Sequence, residues 1–420
     1  MDYEDEYVQP LIVNALQKQL RGIPYETISD LSQLPDSSYP VLQYRIYEKS
    51  DFDHVMSHPQ TSLVNSYIIR KALIRKHYLS STVANWVTKH PDSILARHFK
   101  PAVEFELDYA EFLDEALLEA YELRESFERN EEKESSEKEW WILKPGMSDR
   151  GQGIRLFNSE EALQEIFEEW EEDSDDDEVG EANDLATPDA GDSQDNDTGI
   201  VTSQLRHFIA QPYIHPPLLL PSASNRKFHL RVYVLAVGSL KVYVYKEILA
   251  LFAEKPYVNP GDDDGIEDLS RHLTNTCLQT SAGMDGSNSV RRFWSIDDYL
   301  PSLGSDWKEK VYGQICAVTG AVFEAAAKGM MVHFQTLPNA FEIFGVDFLV
   351  DGNGQAWLLE LNAFPDFRQT GDELREKVVG NLFEAVVDAA VKPFLDIKRD
   401  IDVASQLGLR LVADLNLGRK

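Results

Sequence analysis

The apolar positions of this chain change period along its length, and the changes divide it into regions. Residues 1–56 mix short apolar runs with turn signals, and YPVLQYRIYE (39–48) has the composition of a strand. In TSLVNSYIIRKALIRKHYL (61–79), Leu63, Val64, Tyr67, Ile68, Leu73, Ile74 and Leu79 recur at mostly helical spacing behind a Thr-Ser start suited to capping, which predicts a helix. YAEFLDEALLEAYELRESFE (109–128) repeats that pattern with an acidic face. From EWWILKP (139–145) onward, strand and helix signals alternate, and LREKVVGNLFEAVVDAAVKPFL (374–395) closes the series as an amphipathic helix. This gives an α+β reading: an N-terminal α/β region (1–60), a helical linking region (61–138), a main domain (139–395) and a tail (396–420).

Charge alters the picture locally. The chain of 420 residues carries −32, but residues 171–199 hold 13 acidic side chains and no Lys or Arg, and residues 104–139 hold 15 acids against 4 bases. The rest carries −8, which is ordinary. The run 171–199 has almost nothing apolar to bury and repels itself, so disorder is expected within the main domain; a charged interaction tail is the alternative. So acidic a surface makes nucleic acid a poor partner. Cys277 and Cys316 form neither a disulfide framework nor a zinc spacing, which suits a reducing, cytoplasmic or nuclear compartment. No apolar run reaches the roughly 18–20 residues of a membrane helix.

Three segments carry candidate chemistry. WWILKPGMSDRGQGI (140–154) ends a strand at Lys144-Pro145 and follows it with Gly146, Gly151 and Gly153. Such a loop either cradles phosphate through its backbone N–H groups or is a plain hairpin turn. It matches neither GxGxxG nor GxxxxGK[ST]. In RKFHLRVYVLAV (226–237), alternation puts Lys227, His229 and Arg231 on one strand face. Those cations meet an anion there or form a solvated hairpin face, and Lys246 lies on the returning strand.

FEIFGVDFLVDGNGQAWLLELNAFPDF (341–367) is the most informative. Two apolar strands flank Asp351-Gly352-Asn353-Gly354, a strong hairpin signal. A turn centred on Gly352-Asn353 pairs Asp347 with Leu358, whose parity Glu360 and Asn362 share. The three oxygen-bearing side chains then project from one face and suit Mg²⁺, which takes a few protein oxygens plus substrate phosphates. An edge hairpin with one polar face is the bland alternative. Asn275, in RHLTNTCLQ, is a metal or phosphate ligand or a turn residue. His229 and His272 lack partners at metal-ligand spacing and read as hydrogen-bonded structural residues.

Taken together these segments resemble the tubulin–tyrosine ligase and ligase-like family of the ATP-grasp superfamily. The likeness runs from about residue 61 to 370 through WxLKPxxxxRGxGI (141–154), QPYI (211–214), RKFHLR (226–231), HLTN (272–275) and FGVDFLVD…WLLELNAFPD (344–366). It implies an ATP-grasp fold of mostly antiparallel sheets with helices and an ATP- and Mg²⁺-dependent carboxylate–amine ligase. In that family Lys144 and Lys227 would meet ATP phosphates or adenine, and Arg150, Gly151 and Gly153 would close over the phosphates. Gln211 and Tyr213 would form the adenine hinge, with Asn275 beside the nucleotide. Asp347, Glu360 and Asn362 would hold Mg²⁺, and Arg231 and Lys246 would act on the reacting groups. Arg75 and Lys76 would guide the acceptor. The implied partners are a free amino acid, tyrosine or glutamate, and a protein acceptor, with tubulin first. Two departures stand out: KFHLR has His229 where the family has Asp, and YKEILAL has Leu251 where it has Arg. The alternatives are a non-catalytic ATP-binding scaffold and an ATP-grasp ligase for another protein or a small molecule.

Overall fold

In a computed structural model, the structure describes residues 3–145, 153–180, 207–262, 265–266, 268–274, 289–297, 299–397, 403–415 and 417. Thirteen strands build three sheets among these residues. The central sheet is antiparallel throughout. Strand β7 (Arg226–Val237) runs through its middle, flanked on one side by β11 (Phe341–Val350) and then β12 (Ala356–Ala363). On its other side the first half of β7 pairs with β9 (Leu249–Pro256), which pairs with β10 (Val290–Arg292). The second half pairs with β8 (Lys241–Tyr245), which carries β13 (Leu409–Asp414). Strands β7 and β11 are buried on both faces, which explains their nearly continuous apolar runs.

A second antiparallel sheet orders β3 (Val103–Glu106), β6 (His207–Pro212), β4 (Trp141–Pro145) and β5 (Arg155–Phe157). Its two faces are used differently. Trp141 and Leu143 of β4 turn toward helical segments and pack with Leu113, Leu117, Leu123 and Phe127. Ile142 and Lys144 turn the other way, toward the central sheet. Alternation along one strand thus separates a core face from a cleft face.

The long helix Trp307–Gly329 covers one face of the central sheet through Val311, Ile315, Val322 and Phe323. The other face is covered by turns from Arg375 to Phe394 together with the first helix, Gln9–Gln19. A small parallel pair, β1 (Val41–Gln43) and β2 (Ser62–Val64), joins this assembly through a bridge from Val64 to Ala340. The architecture is α+β with mostly antiparallel sheets.

Two local expectations need correction. The helix read over 61–79 begins only at Lys71: Ser62–Val64 is a strand, residues 65–70 are irregular, and helices occupy Lys71–Ile74 and Lys76–Lys89. Leu63, Val64 and Tyr67 are fully buried against the sheet, and a short apolar run buried all round looks the same whether strand or helix. The strand read over 39–48 is cut to Val41–Gln43 because the Asn65 amide takes both backbone groups of Arg45, each at 2.9 Å. The acidic run also differs in part. Helix Glu160–Gly180 continues through its first ten residues, and the remainder lies outside the described residues.

Candidate functional site

The cleft between the two sheets encloses about 470 Å³. Strand β7 forms its floor, and Lys227, His229 and Arg231 point into it at successive alternate positions, as the sequence predicted. Strands β4 and β6 supply Lys144 and Gln211 from above, and β11 and β12 supply Asp347, Glu360 and Asn362 from the side. Gly345 makes this close assembly possible. A Cβ there would come within 2.7 Å of Pro365 Cβ and 3.4 Å of Arg231 Cδ, so a side chain would displace the arginine and the turn that follows β12.

At one end of the cleft two lysines are enclosed, and among the described residues neither forms an ion pair with a carboxylate. Lys144 Nζ donates to Gln211 Oε1 at 2.9 Å, and Lys227 Nζ lies over the Tyr213 ring at 3.9 Å. Burial pulls Lys227 down to about 7, with Lys144 adding repulsion. Burial likewise lowers Lys144 to about 8, with Lys76 repelling it and Glu360 and Asp347 pulling the other way. Two confined cations of lowered basicity make a receptive site for a polyanion, which would restore their charge. His272 Nε2 donates to the Gly265 carbonyl, so its Nδ1 accepts from the Tyr213 hydroxyl at 2.9 Å. Burial lowers it to about 4, so it is a neutral prop for Tyr213.

At the other end, Asp347 and Glu360 stand directly opposite each other on β11 and β12, and Asn362 follows two positions on. The Asn362 amide donates to Glu360 Oε1 at 3.2 Å. The shared face is therefore as expected, although the register is not. Phe348 rather than Asp347 faces Leu358, and a bulge at Leu359 brings Glu360 opposite Asp347. Without that bulge a one-residue slip would turn Glu360 to the other face. Each carboxylate already meets a cation: Arg231 Nε reaches Asp347 Oδ1 at 2.6 Å, and Lys76 Nζ reaches Glu360 at 3.3 Å. Lys76, then Lys144 and the Asn362 hydrogen bond, hold the Glu360 carboxyl well below the usual range although burial opposes them.

These residues fit a magnesium ion. Among the described residues no group of three His, Cys, Asp or Glu side chains could hold a metal by itself. Two carboxylates and one amide oxygen are instead the small protein share that Mg²⁺ takes when substrate phosphates and water complete its shell.

The other expected residues fall unevenly. Lys246 is not in the cleft. It is half-exposed, stacks on Trp294 at 4.9 Å and approaches Glu309 at 4.0 Å, because β8 ends beyond the second half of β7 rather than beside Arg231. Arg150, Gly151 and Asn275 lie outside the described residues, whereas Gly153 turns at φ +68° just before cleft residue Ile154. The positive φ there suits glycine. The sequence reading missed Thr274, whose hydroxyl meets His229 Nδ1 at 2.6 Å, and Gln369 in the cleft wall. It also set His229 among satisfied structural histidines, yet its buried Nε2 has no hydrogen-bond partner among the described residues and lies 3.9 Å from Asp347 Oδ1. Leu251, the second departure, pairs directly with His229 across β7 and β9 and is sealed in the apolar layer with Tyr233 and Leu249.

A family model described as the tubulin-tyrosine ligase family matches residues 54–398. The chain belongs to that family. A probable tubulin–tyrosine ligase of Schizosaccharomyces pombe is 45% identical over 420 residues, covering 98% of this chain and 96% of that one. A probable tubulin–tyrosine ligase, PBY1, of Saccharomyces cerevisiae is 44% identical over 405 residues, and the match covers 94% of this chain but 52% of that longer protein. Among solved structures, the C-terminal domain of K. lactis Pby1 superposes with a TM-score of 0.71 at 36% identity, covering 99% of this chain and 98% of that one. It is described as an ATP-grasp enzyme interacting with the mRNA decapping enzyme Dcp2. The fold is therefore ATP-grasp, and the protein is an ATP-grasp ligase of the tubulin–tyrosine ligase family.

Proposed function

We propose that this ligase joins an amino acid, tyrosine or glutamate, to a carboxylate of a cytoplasmic protein acceptor, tubulin foremost, using ATP and Mg²⁺. The observation that carries the reading is the convergence of Asp347, Glu360 and Asn362 with Arg231, Lys144 and Lys227 in one cleft. Lys144 and Lys227, with Gln211 and Tyr213, would hold the nucleotide at its end of the cleft. Asp347, Glu360 and Asn362 would hold Mg²⁺, which when bound neutralises charge on the transferring phosphoryl group.

The reaction proceeds in two transfers. An oxygen of the acceptor carboxylate attacks the γ-phosphorus, the bond to the β-phosphate oxygen breaks, and ADP and an acyl phosphate result. The amino group then attacks the acyl carbon, phosphate leaves with the electron pair of the C–O bond, and the nitrogen loses a proton as the amide forms. Arg231 has two of its nitrogens on Asp347, which fixes its plane. Its remaining nitrogen, Nη1, would meet charge on the phosphoryl group and then on the tetrahedral oxygen, where one such contact contributes about 2.7–4 kcal/mol.

The test is incubation with Mg-ATP, labelled tyrosine or glutamate, and tubulin lacking its terminal tyrosine. Incorporation that disappears in Glu360→Gln supports the ligase on tubulin. The second reading, an ATP-binding scaffold of the same fold, is favoured by the apolar burial of Leu251 where the resemblance implies a cation. Nucleotide-dependent thermal stabilisation without incorporation of any amino acid would select it.

A further inference from the structure

Residues 109–121 are apolar on both sides. Ala110, Leu113, Leu117 and Ala120 are buried on the second sheet, while Tyr109, Phe112, Leu118 and Tyr121 are 61%, 45%, 58% and 67% exposed. Scattered single apolar residues on a surface need no explanation, but four in thirteen residues do. The Tyr109 and Phe112 rings pack edge to face at 6.2 Å, which makes a ridge of them. Tyrosine and phenylalanine are also the residues that anchor protein interfaces, because they bring large area with few torsions to immobilise.

The surroundings specify the partner's charge. Residues 104–123 carry eight Asp or Glu side chains, every one exposed, and no Lys or Arg. Helix Glu160–Gly180 packs beside this segment, with Glu171 accepting from the Ala110 backbone N–H at 2.5 Å. An anionic peptide, a nucleic acid or an acidic lipid surface would be repelled. A cationic segment with apolar side chains would place charges against the acids and apolar groups on the ridge.

We infer that the exposed face of residues 109–121 docks a Lys/Arg-rich amphipathic segment of another protein. The face lies across the second sheet from the cleft, since Trp141 and Leu143 point toward it while Ile142 and Lys144 point into the cleft. Docking there leaves the cleft open.

The full chain is titrated by fluorescence anisotropy with a labelled 18-residue peptide of Lys and Leu at amphipathic helical spacing. Oligolysine and a Glu/Leu version of equal length serve as comparisons. The expected result is that the Lys/Leu peptide binds, the Glu/Leu peptide does not, and oligolysine binds at least tenfold more weakly. Tyr109→Ser/Tyr121→Ser weakens the Lys/Leu peptide at least tenfold, with circular dichroism and ATP-induced thermal stabilisation unchanged. Should that variant misfold, Glu111→Lys/Glu115→Lys decides by the same criterion. Absence of Lys/Leu binding, oligolysine binding as tight as the Lys/Leu peptide, or an unmoved affinity in the folded variants overturns the inference.

Discussion

Arg231 and Asp347 face each other on neighbouring strands, and two nitrogens of the arginine reach the two oxygens of the aspartate at 2.6 and 3.2 Å. Both side chains are buried at the cleft floor, so each charge relies chiefly on the other. Removing one partner leaves the other uncompensated, at a cost of about 3–5 kcal/mol. Asp347→Ala is accordingly expected to lower thermal stability strongly as well as to abolish ligation, by calorimetry and by label incorporation. Arg231→Lys keeps the charge but loses the two-nitrogen contact, so it is expected to fold and to ligate at least tenfold more slowly.

Nucleotide affinity is expected to depend on pH through the two enclosed lysines. Lys227 at about 7 and Lys144 at about 8 are partly neutral in the empty cleft near neutral pH. A polyphosphate favours their protonated forms, so binding takes up protons, and affinity falls as pH rises through 7 to 8 and beyond. Calorimetric titration of ATP in buffers of different ionisation enthalpy measures that uptake; Lys227→Met is expected to reduce it.

Lys246 provides a contrast. It stands half-exposed on Trp294, and exposed ion pairs such as that with Glu309 contribute little. Lys246→Ala is expected to leave kcat/KM within about twofold and stability within about 0.5 kcal/mol.

Arg70 and Glu342 hold the early segment to the central sheet. Arg70 Nε lies 2.8 Å from Glu342 Oε1, its guanidinium covers the Tyr47 ring at 3.9 Å, and Glu342 also accepts from the Tyr67 backbone N–H at 3.0 Å. Burial holds the Glu342 carboxyl up at about 8 against the pull of Arg70, so Arg70→Ala leaves it to take up a proton, and the expected destabilisation, measured by chemical denaturation, is that of an unsatisfied buried polar group, about 1–3 kcal/mol.

Much of the arrangement in the cleft is legible in the sequence because these residues lie on strands, where parity alone assigns a face. Lys227, His229 and Arg231 follow from alternation, and the Asp351–Gly354 turn places Glu360 and Asn362 near Asp347. The turn-based register is one residue off, and the bulge at Leu359 restores the shared face; a bulge leaves no mark in an apolar string such as WLLELNAF. Lys246 lies outside the cleft for a related reason, since β7 exchanges partners from β9 to β8 along its length. The link from Lys76 to Glu360 spans 284 positions and depends on how a helix start meets a sheet. Nothing in local pattern encodes such contacts.

Asp347, Glu360 and Asn362 are proposed to hold a magnesium–nucleotide complex against Arg231 and the two lysines. The decisive experiment is calorimetric titration of ATP into the wild-type protein and into Glu360→Gln, each with and without Mg²⁺. Mg²⁺ is expected to tighten ATP binding by the wild type at least tenfold, and Glu360→Gln to lose this gain while keeping its metal-free affinity. Equal tightening by Mg²⁺ in both proteins, or no ATP binding by the wild type, would contradict that assignment.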